Sequence, residues 1–522
     1  MRNLSKSKII AFLQCPKRMW LEIHKPELRD DSASEVVFAI GKQVGNVARS
    51  IFDTSGTGRL IDVAEIGWDA AYTETSTWLS ETPAPLFEAA IRIEGALALA
   101  DVMLPEPGEN GLRWHMIEVK SSTGVKDYHR DDLAVQTYIA TTAGIDLASA
   151  SLAHVDNSFI YQGGGDYRGL LKTVELTDEV RAKVGEVAIW IAEAQKVAAA
   201  DTEPQIETGP QCAKPFNCPF RHHCDRDKPT VEFPLSSLYR LGARQRDELE
   251  ASGYDDLRNV PDKMLSPDNQ RIKTQSIAGE AWFNAAGAAA DLKHHKGTAY
   301  FLDFETISFG VPIWKGTRPY QQIPFQFSLH IVSPKGKMRH QEFLDLSGED
   351  TSEAFTRALI TGCGAKGPVF VYNAGFENGV MRGLAERFPH LSQGLLAIVD
   401  RVVDLLPVAR KRYYHPSQHG SWSIKAVIPT VCPDLAYDSL DGVQHGQAAQ
   451  SAFLEAMNPG TTAERKAEIE RQLLAYCKLD TLAMVRLWEF FRGSSPDTSD
   501  EPCTIVGATK TRPGNASPRP IS

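Results

Sequence analysis

The segment from Ala299 to Ile307 carries two acidic residues, Asp303 and Glu305, with one residue between them. On a β-strand, alternate side chains point to the same face, so both carboxylates would project together. Aligned carboxylates repel each other unless a divalent cation lies between them. The pair alone is a weak signal, because Asp-x-Glu also occurs on solvated strand faces. Joined by further acids downstream, it predicts a two-metal site for phosphoryl transfer.

Further residues follow in the order that such a site needs. Glu377 falls where a predicted strand meets a predicted helix, and Tyr476 and Asp480 are four residues apart in the predicted last helix. That spacing puts the tyrosine and the aspartate on one helix face. We expect the four carboxylates to bind Mg²⁺ or Mn²⁺ and Tyr476 to orient the attacking water. The alternative for the last two residues is a half-buried pair without a catalytic role.

A second candidate site lies in the first third of the chain. Asp101 ends one predicted strand, and Glu118 and Lys120 end another. The two acids would hold Mg²⁺ or Mn²⁺, and the lysine would position water or stabilise the charged transition state. Gln136, in a predicted helix that follows, is a candidate nucleic-acid contact. The alternative for Glu-x-Lys is a surface ion pair, because the pattern is very common.

Clustered cysteines predict a metal site in the same third of the chain. Three are separated by five residues each, and an upstream cysteine before a proline is a candidate fourth ligand: Cys212, Cys218, Cys224 and Cys15. Four thiolates suit a [4Fe–4S] cluster, whereas two adjacent histidines in the loop keep Zn²⁺ as an alternative. A further alternative is that the loop cysteines bind nothing. The scattered cysteines are expected to be ordinary thiols: Cys363, Cys432, Cys477 and Cys503.

Two segments of the second half mix cations with aromatic rings, which is typical of surfaces that bind single-stranded nucleic acid. The candidate contacts of the first segment are Lys315, Arg318 and Tyr320. Those of the second segment are Arg410, Lys411 and Arg412, followed by Lys425. For the second segment, a solvated charge run with packed tyrosines is the alternative.

Residues 1–228 resemble the RecB-like nucleases of the PD-(D/E)xK superfamily that carry an iron–sulfur cluster. The residues that carry the resemblance are Asp101, Glu118, Lys120 and Gln136, with Cys15, Cys212, Cys218 and Cys224. The chain departs from that pattern at Arg49, where family members often have a metal-binding histidine. The resemblance implies a divalent-metal nuclease site and a cluster that joins the two ends of the domain.

Residues 297–493 resemble the DEDDy 3′–5′ exonucleases of the ribonuclease-H-like superfamily. The matching residues are Asp303, Glu305, Asn373 to Glu377, Tyr476 and Asp480. Most members have aspartate where this chain has Glu377. The resemblance implies a two-metal exonuclease site in which the tyrosine helps to activate water.

The chain as a whole resembles a bacterial family called domain of unknown function 2779. The shared motifs are Asp303-Phe-Glu305-Thr306, Lys315-Gly-Thr-Arg318-Pro-Tyr320, Tyr413-Tyr-His-Pro416 and Tyr476 to Asp480. This resemblance supplies no substrate.

Length and composition indicate a globular protein of two or three α/β domains. The chain has 522 residues, 42% hydrophobic and 23% charged, and no apolar run of membrane-spanning length. We predict a RecB-like domain over 1–228, a helical, helix–hairpin–helix-like connector over 229–296, a ribonuclease-H-like domain over 297–493 and a disordered tail over 494–522. We expect a cytoplasmic protein without a membrane partner, and the sequence does not indicate protein partners.

The sequence therefore predicts a metal-dependent nuclease, with DNA expected over RNA as its substrate. The net charge of −10 counts against a passive nucleic-acid binder, but it counts less against an enzyme that binds through metal ions. Two alternatives stay open. Only one of the two sites is active, or the protein binds nucleic acid or recruits a partner without catalysis.

Overall fold

The computed structural model describes residues 1–30, 35–109, 111–435, 437 and 440–493. Over this part the protein has a mixed α/β fold, as predicted. It divides into two compact units, and the predicted disordered tail lies outside the described residues. The first unit comprises Met1–Pro229 with Ser308–Gln321, and the second comprises Thr230–Ile307 with Gln322–Ser522.

The first unit is built on a mixed sheet of seven strands. In spatial order the strands are Arg59–Leu60, Leu86–Ile93, Ala96–Gly108, Gly111–Lys120, Leu147–Val155 and Leu171–Glu175, and Leu4–Ser5 pairs with the third. The second to fourth of these pair antiparallel, and Gly111–Lys120 pairs parallel with Leu147–Val155. The alternation of buried residues along these strands places one face against an apolar core that contains Trp114.

The first unit also contains helices. They are Lys6–Gln14, Pro16–His24, Glu35–Phe52, Val63–Ile66, Trp68–Glu81, Asp127–Thr142, Thr177–Ala182, Val184–Ala199 and Arg221–Asp225. The first two of these helices meet at Cys15. Cys15 is extended, with φ −165° and ψ 118°, because a residue before proline is disfavoured in helical conformation. Pro16 then begins the second helix.

The loop Ser308–Gln321 belongs to the first unit, although it follows a strand of the second unit in sequence. Val311 of this loop is buried in an apolar cluster of the first unit. Tyr161 exchanges two backbone hydrogen bonds with the loop: its N–H donates to Thr317 O (3.0 Å), and its carbonyl accepts from Gly316 N (2.7 Å). The loop is therefore an integral part of the first unit.

The second unit contains a five-stranded sheet in the order Met338–Leu344, Ile323–Val332, Ala299–Ile307, Val369–Val371 and Val402–Asp404. The first three strands pair antiparallel, and the last two pair parallel. The third of these strands, Ala299–Ile307, coincides with the segment in which the sequence predicts a strand that carries Asp303 and Glu305. A separate pair is formed by Trp282–Phe283 and Tyr413–Tyr414.

The helices of the second unit are Ala243–Ala251, Pro267–Ala278, Ala285–Leu292, Ser352–Cys363, Gly375–Arg387, Ser392–Val399, Leu405–Arg412, Ile424–Val431, Gly446–Met457 and Ala463–Arg492. The last is the longest described helix, with 30 residues. Thr462 caps its start by accepting from Arg465 N, and Gly493 ends it in the left-handed region, as is common at helix C-termini. Among the described residues, no helix combines the length and the apolar character that crossing a membrane requires.

Candidate active site

Four predicted acids come together in the second unit, and we call Asp303, Glu305, Glu377 and Asp480 the carboxylate site. Asp303 and Glu305 stand on the strand Ala299–Ile307, and one carboxylate oxygen from each lies within 4.8 Å of one from Asp480. Glu377 is close enough to raise the pKa of Asp303. Strand alternation and the packing of the last helix across the sheet thus place acids from distant parts of the sequence in one cluster.

Burial shifts the pKa of each of these groups upward. It raises the pKa of Asp303 well above its usual range, with the nearby carboxylates adding to the rise. It raises the pKa of Glu305 and of Glu377 to about 8, and that of Asp480 to about 6. Desolvation disfavours the charged form, and like charges disfavour it further. The cluster is therefore partly protonated near neutral pH unless a cation compensates its charge.

A neighbouring acid positions Glu377. Asp404 accepts backbone hydrogen bonds from Asn373 N and Ala374 N, both at 3.0 Å, and from Leu406 N at 2.9 Å. These bonds hold Asn373 at a φ of +80° and set the start of the helix whose first turn carries Glu377. The oxygens of Asp404 are occupied by this turn and by its own helix cap.

Two tyrosines and a lysine surround Asp480. The Tyr437 hydroxyl donates to Asp480 Oδ1 at 2.5 Å, and the Lys425 ammonium donates to the Tyr476 hydroxyl at 2.9 Å. Burial raises the pKa of both tyrosines above its usual range, and the Asp480 charge adds to the rise. The sequence placed Lys425 on a nucleic-acid surface, whereas the structure brings it to the carboxylate site. Tyr437 was not predicted, because no local sequence pattern singles it out.

The lysine site of the first unit, which comprises Asp101, Glu118 and Lys120, also forms. Lys120 Nζ donates to Glu118 Oε1 at 2.6 Å, and Gln136 Nε2 donates to Glu118 Oε2 at 2.6 Å. Asp101 accepts from Val119 N at 2.7 Å. The three residues of the lysine site and Gln136 therefore lie together.

Two further residues of the lysine site were missed. Lys6 Nζ donates to Glu118 Oε1 at 2.6 Å, and Lys120 also donates to Asp132. Asp132 had a usable signal, because it stands four residues before Gln136 and so shares its helix face. Lys6 had none, because it reaches the site from another helix. The lysines hold the pKa of Glu118 well below its usual range, against the effect of burial.

Arg49, which stands where the resemblance would place a metal-binding histidine, acts electrostatically on this region. Burial raises the pKa of Glu88, and the charge of Glu118 adds to the rise. The charges of Arg49 and Lys6 oppose it. Burial is the main cause that raises the pKa of Asp101, and the charge of Glu88 adds to the rise. A cation thus stands near these carboxylates where the resemblance would have placed a metal ligand.

The predicted nucleic-acid segments fall in two different settings. Lys315 and Arg318 are exposed on the loop Ser308–Gln321, and Tyr320 donates to the carbonyl of Ser121, which follows Lys120. These three candidate contacts therefore belong to the first unit, and Tyr320 contacts the residue next to Lys120.

Arg410 and Arg412 of the second segment have structural partners, and Lys411 is exposed. Arg412 makes two hydrogen bonds to Asp291, at 2.8 and 3.1 Å, and Arg410 donates to the Tyr239 hydroxyl at 3.3 Å. The tyrosines that follow, 413 and 414, are fully buried and so present no face for base stacking. This arrangement matches the alternative in which the tyrosines are packed.

The four clustered cysteines line one cavity of the first unit: Cys15, Cys212, Cys218 and Cys224. All are free thiols. Gln14 fastens the N-terminal helices to the cysteine loop by donating to the carbonyls of Gln211 and Phe216, both at 2.7 Å. Burial raises the pKa of the Cys218 and Cys224 thiols. Outside this group, Cys432 is disulfide-bonded, so the prediction of an ordinary thiol is wrong there.

A family model described as a domain of unknown function (DUF2779) matches residues 300–423. The matched segment includes Asp303, Glu305 and Glu377 and ends before Tyr476 and Asp480. The match supports the resemblance to that family over this segment. No curated protein matches the chain.

Proposed function

We propose that the protein is a metal-dependent nuclease, a phosphodiester hydrolase, with its hydrolytic centre at the carboxylate site. The observation that carries this proposal is the convergence of Asp303, Glu305 and Asp480 within 4.8 Å. Beside them, Glu377 is 97% buried, and its Oε2 has no hydrogen-bond partner in the part of the chain that the structure describes. A buried, unpaired carboxylate oxygen is costly, and a divalent cation would satisfy it.

The donor set fits Mg²⁺ or Mn²⁺, because hard divalent cations prefer carboxylate oxygens. Within the described residues, none of the four acids has an ion pair closer than 4.0 Å, so no basic side chain competes with a metal ion for them, although one oxygen of Asp480 accepts from Tyr437. Such ions, when bound, would neutralise the charge of the carboxylates and lower the pKa of a bound water. The chain's own part is to hold the oxygens on a rigid strand and helix, and to present the Tyr476 hydroxyl for orienting water.

The order of the acids supports a 3′–5′ exonuclease, because it follows the DEDDy pattern from Asp303 to Asp480. Glu377 reaches one methylene further than the aspartate of most members, and it stands in the first turn of a helix. DNA is the proposed substrate over RNA. The cytoplasmic location stays a prediction from sequence.

The lysine site supports the alternative in which only one site is active. Both oxygens of Glu118 are occupied: Oε1 by two ammonium groups and Oε2 by Gln136. Asp132 is engaged by the same two lysines. A divalent cation would have to displace these donors. We therefore propose that the first unit binds nucleic acid, with Lys315 and Arg318 as contacts, and that hydrolysis occurs in the second unit.

For the cysteines we propose a [4Fe–4S] cluster rather than Zn²⁺. Thiolates around one zinc ion, at about 2.3 Å each, would lie about 3.8 Å apart. The four sulfur atoms line one cavity. Among the described residues, no three of these sulfur atoms lie within 4.8 Å of one another. Wider spacing fits a multi-iron cluster, whose thiolates bind different iron atoms.

The test is a nuclease assay on single- and double-stranded DNA and RNA, labelled at either end, with Mn²⁺ or Mg²⁺. We expect stepwise shortening from the 3′ end by the wild type and by Lys120→Met, and no shortening by Asp303→Asn. Glu342→Gln, which removes a carboxyl from the edge strand of the same sheet, is the matched control. Loss of activity in Lys120→Met alone would move the active site to the first unit. Without metal-dependent hydrolysis of any substrate, the non-catalytic alternative stands.

A further inference from the structure

We propose that Tyr437 and Lys425 are positioning residues of the carboxylate site. Tyr437 fixes the orientation of Asp480, and Lys425 fixes the direction of the Tyr476 hydroxyl proton. The proposal rests on the proposed function, since it assigns roles at the same site. It rests on hydrogen-bond geometry and goes beyond the residues that the sequence motifs contain.

The Tyr437 hydroxyl acts through Asp480. Its oxygen lies 2.5 Å from Asp480 Oδ1, and both side chains are buried. The bond occupies one carboxylate oxygen and leaves Oδ2 for the centre of the site. A hydrogen-bond donor behind a metal-binding carboxylate orients that carboxylate and tunes its affinity for the ion.

Lys425 is held by several contacts at once. Its ammonium donates to the carbonyl of Gln444 at 2.8 Å and to the Tyr476 hydroxyl at 2.9 Å. It also lies 4.6 Å from the ring centroid of Tyr476 and 4.9 Å from that of Tyr437. These contacts keep the charge between the two rings.

The direction of the hydroxyl proton follows from donor chemistry. A lysine ammonium has only donors, so the Tyr476 oxygen must accept from it. The tyrosine proton is then turned away from Lys425. The proton can then be donated to Asp480 or to a water at the site. Burial raises the pKa of Asp480, and a hydrogen bond from Tyr476 acts against that rise. Lys425 thereby prepares Tyr476 as a donor toward the reacting centre.

The first test measures Mn²⁺ affinity by the electron paramagnetic resonance signal of free Mn²⁺, using the full chain. We expect Tyr437→Phe to weaken Mn²⁺ binding about 10- to 100-fold, which is the usual effect of losing an outer hydrogen bond. The control is Tyr413→Phe, a fully buried tyrosine that donates to Thr430 Oγ1 at 2.9 Å instead. Equal Mn²⁺ affinity in Tyr437→Phe and the wild type would overturn the role of Tyr437.

The second test separates Lys425 from metal binding. We expect Lys425→Met to lower kcat about 10- to 100-fold while Mn²⁺ affinity changes little, and Lys425→Arg to restore part of kcat. Lys366→Met, which removes an exposed lysine of the same unit, is the control. Unchanged kcat in Lys425→Met, or an equal loss of kcat in Lys425→Arg, would overturn the role of the lysine.

These outcomes are distinct from failure of the proposed function. If the wild type binds no Mn²⁺, the proposed function itself is wrong. If the wild type binds Mn²⁺ and Asp303→Asn does not, while Tyr437→Phe and Lys425→Met behave as wild type, only the positioning roles are wrong.

Discussion

The ammonium group of Lys6 lies 2.6 Å from Oε1 of Glu118, the same oxygen that Lys120 contacts. Two cations therefore neutralise one buried carboxylate in the first unit. In the second unit the carboxylates of Asp303 and Glu305 face each other and Asp480 instead. The charge of the buried acids is therefore compensated differently in the two sites. Lysines of the chain neutralise Glu118 in the lysine site, whereas the carboxylate site requires protons or a metal ion.

Lys6→Met should destabilise the first unit. The substitution removes a charge-assisted hydrogen bond from Glu118, so we expect the unfolding free energy to fall by about 1.5–3 kcal/mol. Urea unfolding measures this loss. Lys196→Met removes an exposed ion pair to Glu193 and should leave the midpoint unchanged. Equal midpoints for Lys6→Met and the wild type would show that Lys120 alone satisfies Glu118.

Without metal, thermal stability should fall as pH rises. The pKa values of Glu305 and Glu377 are raised to about 8 and that of Asp480 to about 6, from ordinary values near 4. Between about pH 4 and pH 8 the folded state therefore binds more protons than the unfolded state, so the unfolding free energy decreases with pH. Calorimetric Tm values over this range, in the presence of a chelator, test this.

Two comparisons sharpen the pH prediction. Glu377→Gln removes one titrating group, so its Tm should fall less steeply with pH than that of the wild type. Saturating Mn²⁺ should raise the wild-type Tm most at pH 8, where binding displaces the fewest protons. A Tm that rises between pH 5 and pH 8 in chelator would contradict the assigned environment of the carboxylates.

Sequence patterns predicted the strands that carry the acids in both units, because strand alternation and helix spacing are local signals. The same patterns did not predict the roles of Lys6 and Tyr437, because the hydrogen-bond partners of these residues are more than 40 residues away in the chain. The tyrosines at 413 and 414 also show the limit. Their position among cations suggested an exposed surface, whereas tertiary packing buries them completely. Side-chain burial of this kind depends on the assembled fold.

The loop Ser308–Gln321 should stabilise the first unit and not the second. Replacing residues 309–320 with a flexible Gly/Ser linker removes the backbone bonds to Tyr161 and the buried Val311. We expect faster amide exchange in the strand Leu147–Val155, with the strand Val369–Val371 protected as in the wild type. Tyr320→Phe, which removes only the hydroxyl that contacts Ser121, is a milder control. Faster exchange in Val369–Val371 alone would assign the loop to the second unit.

Anaerobically purified protein should be coloured and contain about four iron atoms per chain, if the cysteine cavity holds the proposed cluster. Cys212→Ser should lose most of the iron, because it removes one thiolate of the cavity. Cys363→Ser, at a buried cysteine of the second unit, should retain it. Iron analysis and the visible absorbance spectrum measure both. A colourless sample with stoichiometric zinc would contradict the cluster.

The most direct test of the central claim is Mn²⁺ binding, measured by the free Mn²⁺ resonance signal, in wild type, Asp303→Asn and Asp101→Asn. The carboxylate site should bind the ion, so we predict that the wild type and Asp101→Asn bind Mn²⁺ and that Asp303→Asn does not. Binding that survives in Asp303→Asn but is lost in Asp101→Asn would contradict the account and place the metal centre in the first unit.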